Sequence, residues 1–267
     1  MAAIDTQFAG SIPGLYDRYL GPLLFEPYAR EMSRRVAAFE PAHVLEIAAG
    51  TGILTEQLDL DLVNASIVAT DLNRTMIDVA QAKIRSKDVA FQQADALDLP
   101  FEDCSFDVVV CQFGVMFFPD KVKGNAEARR VLRKGGAYII ALWDRLEANP
   151  ASQVVNDTLA SLYPDNPPSF LARTPFGYAD TKQIERDLRG AGFDDVRIET
   201  VEVQGKPLSA RDAVMGLIAG CPLAAEVEQR DPAGLKTALD ATAEALAPLE
   251  ADGTLARLSA HIATAIK

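Results

Sequence analysis

Between residues 41 and 143, short apolar runs alternate with amphipathic stretches, and this alternation restricts the fold more than any other feature of the chain. The apolar runs begin near residues 44, 67, 89, 106 and 137, and each has the length of one strand. In the stretches between them apolar residues recur at helical spacing, as in Met76, Ala80 and Ile84. Strands and helices that alternate at this pace form a parallel sheet covered on both faces. The sequence therefore predicts an α/β fold.

The first apolar run leads directly into a glycine-containing turn. Val44–Ile47 reads as a buried strand, residues 48–52 are Ala-Ala-Gly-Thr-Gly, and a helical pattern starts at Ile53. Glycine lets a ligand approach the backbone, and the free N–H groups of the following helix point towards it. Neither G-x-G-x-x-G nor G-x-x-x-x-G-K-[ST] is present. The turn is thus a candidate ligand site, with an ordinary turn without a ligand as the alternative.

Two acidic residues follow the next two strands. Asp71 ends the second apolar run, nineteen residues beyond Gly52, where a carboxylate suits the two hydroxyls of a ribose. An exposed turn aspartate is the alternative for this residue. Asp95 and Ala96 follow the third strand, so all three features lie at the carboxyl edge of the predicted sheet.

In this order, the motifs resemble those of class I S-adenosylmethionine-dependent methyltransferases, of the methyltransferase type 11 or UbiE-like family. Glu46, Gly50 and Gly52 match the first motif, E/D-x-G-x-G-x-G, and Ala48 replaces its first glycine. Because alanine has a side chain, this replacement predicts that residue 48 does not adopt a left-handed conformation.

Two further segments resemble the same family. Residues 99–107, LPFEDCSFD, are similar to its LPFEDxSFDxV segment, and residues 130–136, RVLRKGG, are similar to its RVLKPGG turn, with Lys134 at the usual proline. The resemblance covers about residues 41–143, and residues 1–40 and 144–267 carry little of it.

The resemblance implies a Rossmann-like, doubly wound seven-stranded sheet of order 3-2-1-4-5-7-6, with strand 7 antiparallel and helical additions. We expect an N-terminal lid and helix in residues 1–40. The cofactor-binding core would be 41–205, with an insertion at about 144–179, and a helical segment, 206–267, would return as the final strand. The pattern of 261–266 fits either a helix or a strand, and the resemblance makes it strand seven.

Outside the core, the local patterns predict a loose segment for residues 1–20 and a helix from Pro22 whose apolar stripe reaches Phe39. After a helix over Ala151–Leu162, five prolines between residues 144 and 179 predict a surface loop.

By the same resemblance the cofactor is S-adenosyl-L-methionine. Glu46 would hold the methionine ammonium, Asp71 the ribose and Asp95 the adenine amino group, while the Ala96 N–H would reach a ring nitrogen. The full set of expected cofactor-binding residues is Tyr16, Glu46, Ala48, Gly50, Gly52, Asp71, Leu72, Met76, Asp95, Ala96, Gln112 and Phe113.

The sequence does not assign a general base. His43 opens strand one at the edge opposite the ligand, and His261 lies near the C-terminus. Asp144 is a candidate base, and Trp143 a candidate wall of the acceptor pocket, because both follow strand five. The acceptor is expected to lie between the N-terminal helix, the insertion and the helical tail.

Composition excludes several classes of protein. The 267 residues carry a net charge of −12 without a basic track, so nucleic-acid binding is not expected. No signal peptide and no run of 18 apolar residues is evident, and the three cysteines lack metal-like spacing. These features predict a cytoplasmic protein without a membrane span or metal site.

Two alternatives to methyl transfer to a small-molecule acceptor stay open. One is a dinucleotide-dependent oxidoreductase, against which the missing third glycine and Asp95 count. The other is a protein that binds the cofactor without transferring its methyl group. The oligomeric state is open as well.

Overall fold

Seven strands form one sheet in the order β3-β2-β1-β4-β5-β7-β6 in the computed structural model, which describes residues 12–206 and 208–267. The strands are β1 (His43–Ile47), β2 (Ser66–Asp71), β3 (Val89–Gln93), β4 (Phe106–Gln112), β5 (Leu132–Trp143), β6 (Asp195–Gln204) and β7 (Arg257–Ile266). The first five pair in parallel, and β7 runs antiparallel to both β5 and β6. This confirms the expected order and makes the last segment a strand.

Helices surround the sheet. They are α1 (Ile12–Leu15), α2 (Glu26–Ala37), α3 (Ile53–Asp61), α4 (Arg74–Lys83), α5 (Lys121–Val131), α6 (Pro150–Leu162), α7 (Phe170–Arg173), α8 (Thr181–Gly190), α9 (Ala210–Val214), α10 (Leu223–Arg230) and α11 (Leu235–Ala251). Successive residues of a strand point to opposite faces, and all of Val108–Cys111 in β4 are inaccessible. The centre of the sheet is therefore covered on both sides.

Side-chain caps fix where two of the core helices begin. The Asn73 side chain accepts a hydrogen bond from the Thr75 N–H at 3.0 Å, and the Asp120 side chain accepts one from the Lys123 N–H at 2.9 Å. Such caps satisfy backbone donors that lack a partner within the helix. Each cap follows a strand closely, so α4 and α5 start near the carboxyl edge of the sheet.

The N-terminal segment differs from its prediction. Residues 12–15 are α-helical and Tyr16–Phe25 are π-helical, continuing into α2, so the described part of the segment predicted to be loose is ordered helix. Its apolar residues Leu20, Leu23 and Leu24 are buried, which stabilises it against the rest of the protein. The predicted stripe was too long, since α2 ends at Ala37 and Phe39 is exposed. Residues 1–11 lie outside the described residues.

The predicted surface loop after α6 is also partly wrong. Phe170, Leu171 and Tyr178 are buried, and α7 lies inside the proline-containing segment. The segment packs against the C-terminal helices, because α7 contacts both α6 and α10. Within residues 12–206 and 208–267, no helix has both the length and the apolar character needed to cross a bilayer.

Candidate functional site

The turn between β1 and α3 is built from three left-handed residues. Gly50 has φ 57° and Gly52 has φ 80°, and Ala48 adopts φ 56°, so the expectation that its side chain excludes this conformation is wrong. An alanine in this region is strained by about 1–2 kcal/mol. Its methyl group lies over Gly114, where a Cβ atom would come within 2.6 Å of the Ala48 Cβ. The Ala48 methyl group fits here because residue 114 is glycine and has no side chain in that space.

Asp71 holds this turn in place. Its Oδ2 accepts a hydrogen bond from the Gly50 N–H at 2.8 Å, and its Oδ1 accepts one from the Asn73 N–H at 2.7 Å. Burial raises the pKa of the Asp71 carboxyl, although both backbone hydrogen bonds act in the opposite direction. Each carboxylate oxygen has further lone pairs for a ligand. Asp71 therefore links the end of β2 to the glycine turn beside it.

Asp95 is arranged differently. Its Oδ1 accepts a hydrogen bond from the Leu97 N–H at 2.9 Å, and the residue is exposed. Ala96, next to it, is buried. The pair thus presents a carboxylate and a backbone N–H beside the end of β3.

These features surround one cavity of about 580 Å³ at the carboxyl edge of the sheet. Its volume lies in the usual range for small-molecule and cofactor sites. Ten of the twelve residues expected to bind the cofactor line it: Tyr16, Ala48, Gly50, Asp71, Leu72, Met76, Asp95, Ala96, Gln112 and Phe113. The structure brings them together from four strand ends and the N-terminal helix. Asn73, Arg74 and Gln93 also line it and were missed.

Two expected residues, Glu46 and Gly52, do not line this cavity. Gly52 is packed against α4, where a Cβ atom would lie 2.9 Å from the Ala80 Cβ. Glu46 is buried beneath the turn, and its Oε2 accepts a hydrogen bond from the Thr55 hydroxyl at 2.6 Å. Burial raises the pKa of Glu46 to about 8, opposed by the Thr55 hydrogen bond and assisted by the charge of Asp71. Glu46 is consequently mostly protonated at neutral pH.

This protonation makes stability depend on pH. The pKa of Glu46 is higher in the folded protein than in the unfolded chain. Its contribution to the free energy of unfolding is therefore complete below about pH 4.5 and is lost as the pH rises towards about 8. The slope for one proton is at most about 1.4 kcal/mol per pH unit. Glu46→Gln keeps a neutral acceptor for Thr55 and removes this titration. In urea unfolding between pH 5 and 8, we expect the variant to gain stability relative to the parent protein as the pH rises. Parallel stability curves for the two proteins would contradict the assignment.

A second, smaller cavity of about 80 Å³ lies beside the first. Three aromatic residues, Tyr16, Phe113 and Phe117, line both cavities and form the wall between them. The other residues around the second cavity are predominantly apolar and come from the N-terminal helices, the insertion and the C-terminal helices: Leu20, Leu24, Phe25, Trp143, Ser152, Phe170, Leu171, Pro175, Phe176, Leu217 and Cys221. Trp143 lines this cavity, and its role as a wall of the acceptor pocket stays a prediction.

Phe113 is the strained element of this wall. It has φ 55°, a conformation that bulky residues rarely adopt. Its N–H donates to the Ala141 carbonyl at 2.9 Å, and its ring stacks on Trp143 at 3.8 Å with an interplanar angle of 6°. Backbone strain of this kind persists where surrounding contacts determine it, often at binding sites. Phe113 lines both cavities, and Trp143 lines the second one.

Asp144, His261 and His43 are not among the residues that line either cavity. Asp144 accepts hydrogen bonds from the Arg145 N–H and the Ser259 hydroxyl, and lies 3.2 Å from His261 Nε2. His261 Nδ1 contacts the Thr200 hydroxyl at 3.0 Å, so this group ties β5, β6 and β7 together. His43 contacts Ser66 at the amino edge of the sheet, opposite the cavities.

Comparisons with known proteins agree with this geometry. The methyltransferase domain model Methyltransf_11 matches residues 45–140. The chain is 34% identical to the demethylmenaquinone methyltransferase of Deinococcus radiodurans over 142 residues, which are 52% of this chain and 59% of that protein. It is 32% identical to the protein of the same name from Clavibacter sepedonicus, over 61% of this chain and 70% of that protein.

The fold is shared with solved structures as well. Phosphoethanolamine N-methyltransferase 2 of Haemonchus contortus, in complex with S-adenosyl-L-methionine, superimposes with a TM-score of 0.63 and 18% identity, over 100% of this chain and 60% of that one. The family model covers the strands that carry the glycine turn, Asp71 and Asp95. The chain belongs to the class I S-adenosylmethionine-dependent methyltransferases of the UbiE-like, methyltransferase type 11 family.

Proposed function

We propose that this protein transfers the methyl group of S-adenosylmethionine to a small-molecule acceptor. The observation that supports this proposal best is the pair of adjoining cavities: one has the polar groups that a nucleoside requires, and the other is apolar. The cofactor is proposed to occupy the first cavity, with adenine at Asp95 and Ala96 and ribose at Asp71. Its methyl group would then face the aromatic wall of Tyr16, Phe113 and Phe117.

The chain's own contribution to the reaction is orientation. The sulfonium of S-adenosylmethionine already makes the methyl group electrophilic. The residues around the two cavities would hold an acceptor atom in line with the methyl carbon and the sulfur. Holding two reactants in this geometry contributes roughly 7–11 kcal/mol. The aromatic wall excludes water, and its π faces favour a nearby cation.

Gln112 is suited to the amino-acid end of the cofactor. Its Nε2 donates to the Phe25 carbonyl at 3.2 Å, and its Oε1 is buried without a hydrogen-bond partner among the described residues. A buried acceptor without a partner costs about 1–3 kcal/mol. β4 lies two strands from β2, about 10 Å away, so Gln112 lies where a tail extending from a ribose at Asp71 would end. We propose that Oε1 accepts a hydrogen bond from the ammonium group.

Gln112→Met is therefore expected to weaken the binding of S-adenosylhomocysteine about tenfold, because a hydrogen bond to a charged group is lost. The affinity for 5′-methylthioadenosine, which lacks the amino-acid tail, should stay unchanged. Isothermal titration calorimetry with both ligands measures the difference. Gln93→Met is the control, since Gln93 lines the same cavity but contacts the Leu72 carbonyl beside β3. Equal losses for both ligands in Gln112→Met would exclude the proposed contact.

The second cavity favours an apolar acceptor. The two curated relatives are named as demethylmenaquinone methyltransferases, and an apolar ring is compatible with the aromatic lining. A volume of about 80 Å³ is smaller than the roughly 150 Å³ of an apolar cavity that accommodates benzene. The wall must therefore move before a ring can enter.

Methyl transfer itself is tested by incubating the protein with isotopically labelled S-adenosylmethionine and a bacterial metabolite extract. We expect a labelled, apolar small molecule in the mass spectrum. Binding of S-adenosylhomocysteine without any labelled product would leave a cofactor-binding protein, and binding of NAD instead would indicate an oxidoreductase. The division into lid, core and tail, the cytoplasmic location and the lack of nucleic-acid binding belong to the same proposal.

A further inference from the structure

A buried carboxylate on α10 connects the C-terminal helices to the insertion. Glu226 is buried, and its Oε2 accepts hydrogen bonds from the backbone N–H groups of Ser169 at 2.8 Å and Phe170 at 3.3 Å. Its Oε1 accepts one from Arg173 Nη2 at 2.8 Å. We refer to Glu226, Ser169, Phe170 and Arg173 as the Glu226 clamp. A buried carboxylate that loses its partners is strongly unfavourable, so the clamp fixes α7 against α10.

A second side chain, one helical turn along α10, holds the segment that precedes α7. Arg230 Nε donates to the Asn166 carbonyl at 2.5 Å, and its Nη2 donates to the Pro167 carbonyl at 3.0 Å. The proline-containing segment lacks regular backbone pairing, and α10 supplies an acceptor for its N–H groups and a donor for its carbonyls. Residues 166–173 are consequently held from one helix face.

What the clamp holds is the wall of the second cavity. Phe170 and Leu171 line that cavity, and so do Pro175 and Phe176 just beyond α7. The Phe176 ring lies 5.9 Å from that of Trp143, which closes the wall against the end of β5. Glu226 itself does not line either cavity. Its influence on an acceptor must pass through these side chains.

We propose that Glu226 is a positioning residue for the methyl acceptor: by fixing α7, it sets the shape of the apolar wall against which the acceptor binds. This inference rests on the proposed function of the second cavity as the acceptor site. It concerns the acceptor only, because the cofactor residues lie on the other side of Phe113 and Phe117.

The chain contains a single tryptophan, Trp143, so its fluorescence reports on this cavity. Glu226→Gln replaces one carboxylate oxygen with an NH2 group, which cannot accept a hydrogen bond. The Glu226 clamp is therefore weakened, and α7 loosens. We expect acrylamide to quench Trp143 with a Stern–Volmer constant about twofold higher, because local opening exposes the indole. The matched control is Glu228→Gln, an exposed position on the same helix, which should quench like the parent protein. Arg173→Gln removes one partner at a partly exposed site and should change quenching in the same direction.

Kinetics with the metabolite extract separate positioning from general loosening. We expect the extract concentration that gives half-maximal labelling to rise in Glu226→Gln, while the KM for S-adenosylmethionine and the affinity for S-adenosylhomocysteine stay unchanged. Folded Glu226→Gln and Arg173→Gln proteins with parental quenching would overturn the proposal. The proposal would also be overturned if both variants lost as much affinity for S-adenosylhomocysteine as they lost for the methyl acceptor. A parent protein that fails to bind S-adenosylhomocysteine would instead refute the proposed function, whatever the quenching shows.

Discussion

Asp71→Asn is expected to weaken the binding of S-adenosylhomocysteine at least about 100-fold, because hydrogen bonds to a charged group contribute about 1.5–3 kcal/mol each. The asparagine nitrogen cannot accept the Gly50 N–H, which Asp71 Oδ2 now binds at 2.8 Å. The substitution therefore changes the proposed acceptor for the ribose and also loosens the glycine turn. Isothermal titration calorimetry on the purified variant measures the loss.

Asp88→Asn is the control for this experiment. Asp88 is an exposed residue just before β3, at the edge of the sheet opposite the cavity. Its substitution should leave the affinity for S-adenosylhomocysteine unchanged. If the affinity of Asp71→Asn for the ligand stayed within about threefold of that of the parent protein, Asp71 would not contact the ribose. Such a change is smaller than the roughly 1.4 kcal/mol that corresponds to a tenfold change in affinity.

Gly114→Ala is expected to lower the free energy of unfolding by about 1–3 kcal/mol, the usual cost of an added methyl group in a closely packed site. The new Cβ would lie 2.6 Å from both the Ala48 Cβ and the Cys111 Sγ. Because Ala48 and Gly114 both line the first cavity, we also expect weaker binding of S-adenosylhomocysteine. Urea unfolding and calorimetry measure the two effects.

The double variant Ala48→Gly/Gly114→Ala tests whether the contact with Ala48 causes the loss of stability in Gly114→Ala. It removes one of the two close contacts and restores glycine at the left-handed position, so it should recover part of the lost stability. Gly14→Ala is the control, since an added Cβ there meets no atom within 4 Å. No recovery in the double variant would mean that Ala48 and Gly114 do not compensate for one another.

The central strand of the sheet could be predicted because its burial is uninterrupted over four residues. β4 is covered on both faces, so Val108–Cys111 form an uninterrupted apolar run that indicates a strand on its own. β7 was ambiguous for a related reason. It lies between β5 and β6, and Leu258–Ala263 are all buried, so the alternation that marks a half-exposed strand is missing.

The residues around the larger cavity were predictable because the ends of neighbouring parallel strands meet at one edge. Asp71, Asp95 and Gln112 each end or follow a strand, and the structure places all three around one cavity. Ala48 was mispredicted because its conformation depends on Gly114, which is distant in sequence. A local rule on alanine cannot include the space that a facing glycine provides.

The surroundings of the second cavity could not be predicted residue by residue. Glu226 and Phe170 are 56 residues apart, and nothing in the alanine-rich tail indicates that a glutamate there binds the backbone of the insertion. Prolines correctly excluded long regular elements in the part of the insertion that follows α6. They did not show that Phe170 and Leu171 would be buried, because that burial depends on helices that come much later in the chain.

The most direct test of the central claim is a crystal structure of the protein with S-adenosylhomocysteine. We predict electron density for the ligand in the larger cavity, with both ribose hydroxyls within hydrogen-bonding distance of Asp71, the adenine amino group at Asp95, and the sulfur facing Phe113. Density for the nucleoside at any other place, or a ribose that does not contact Asp71, would contradict the account.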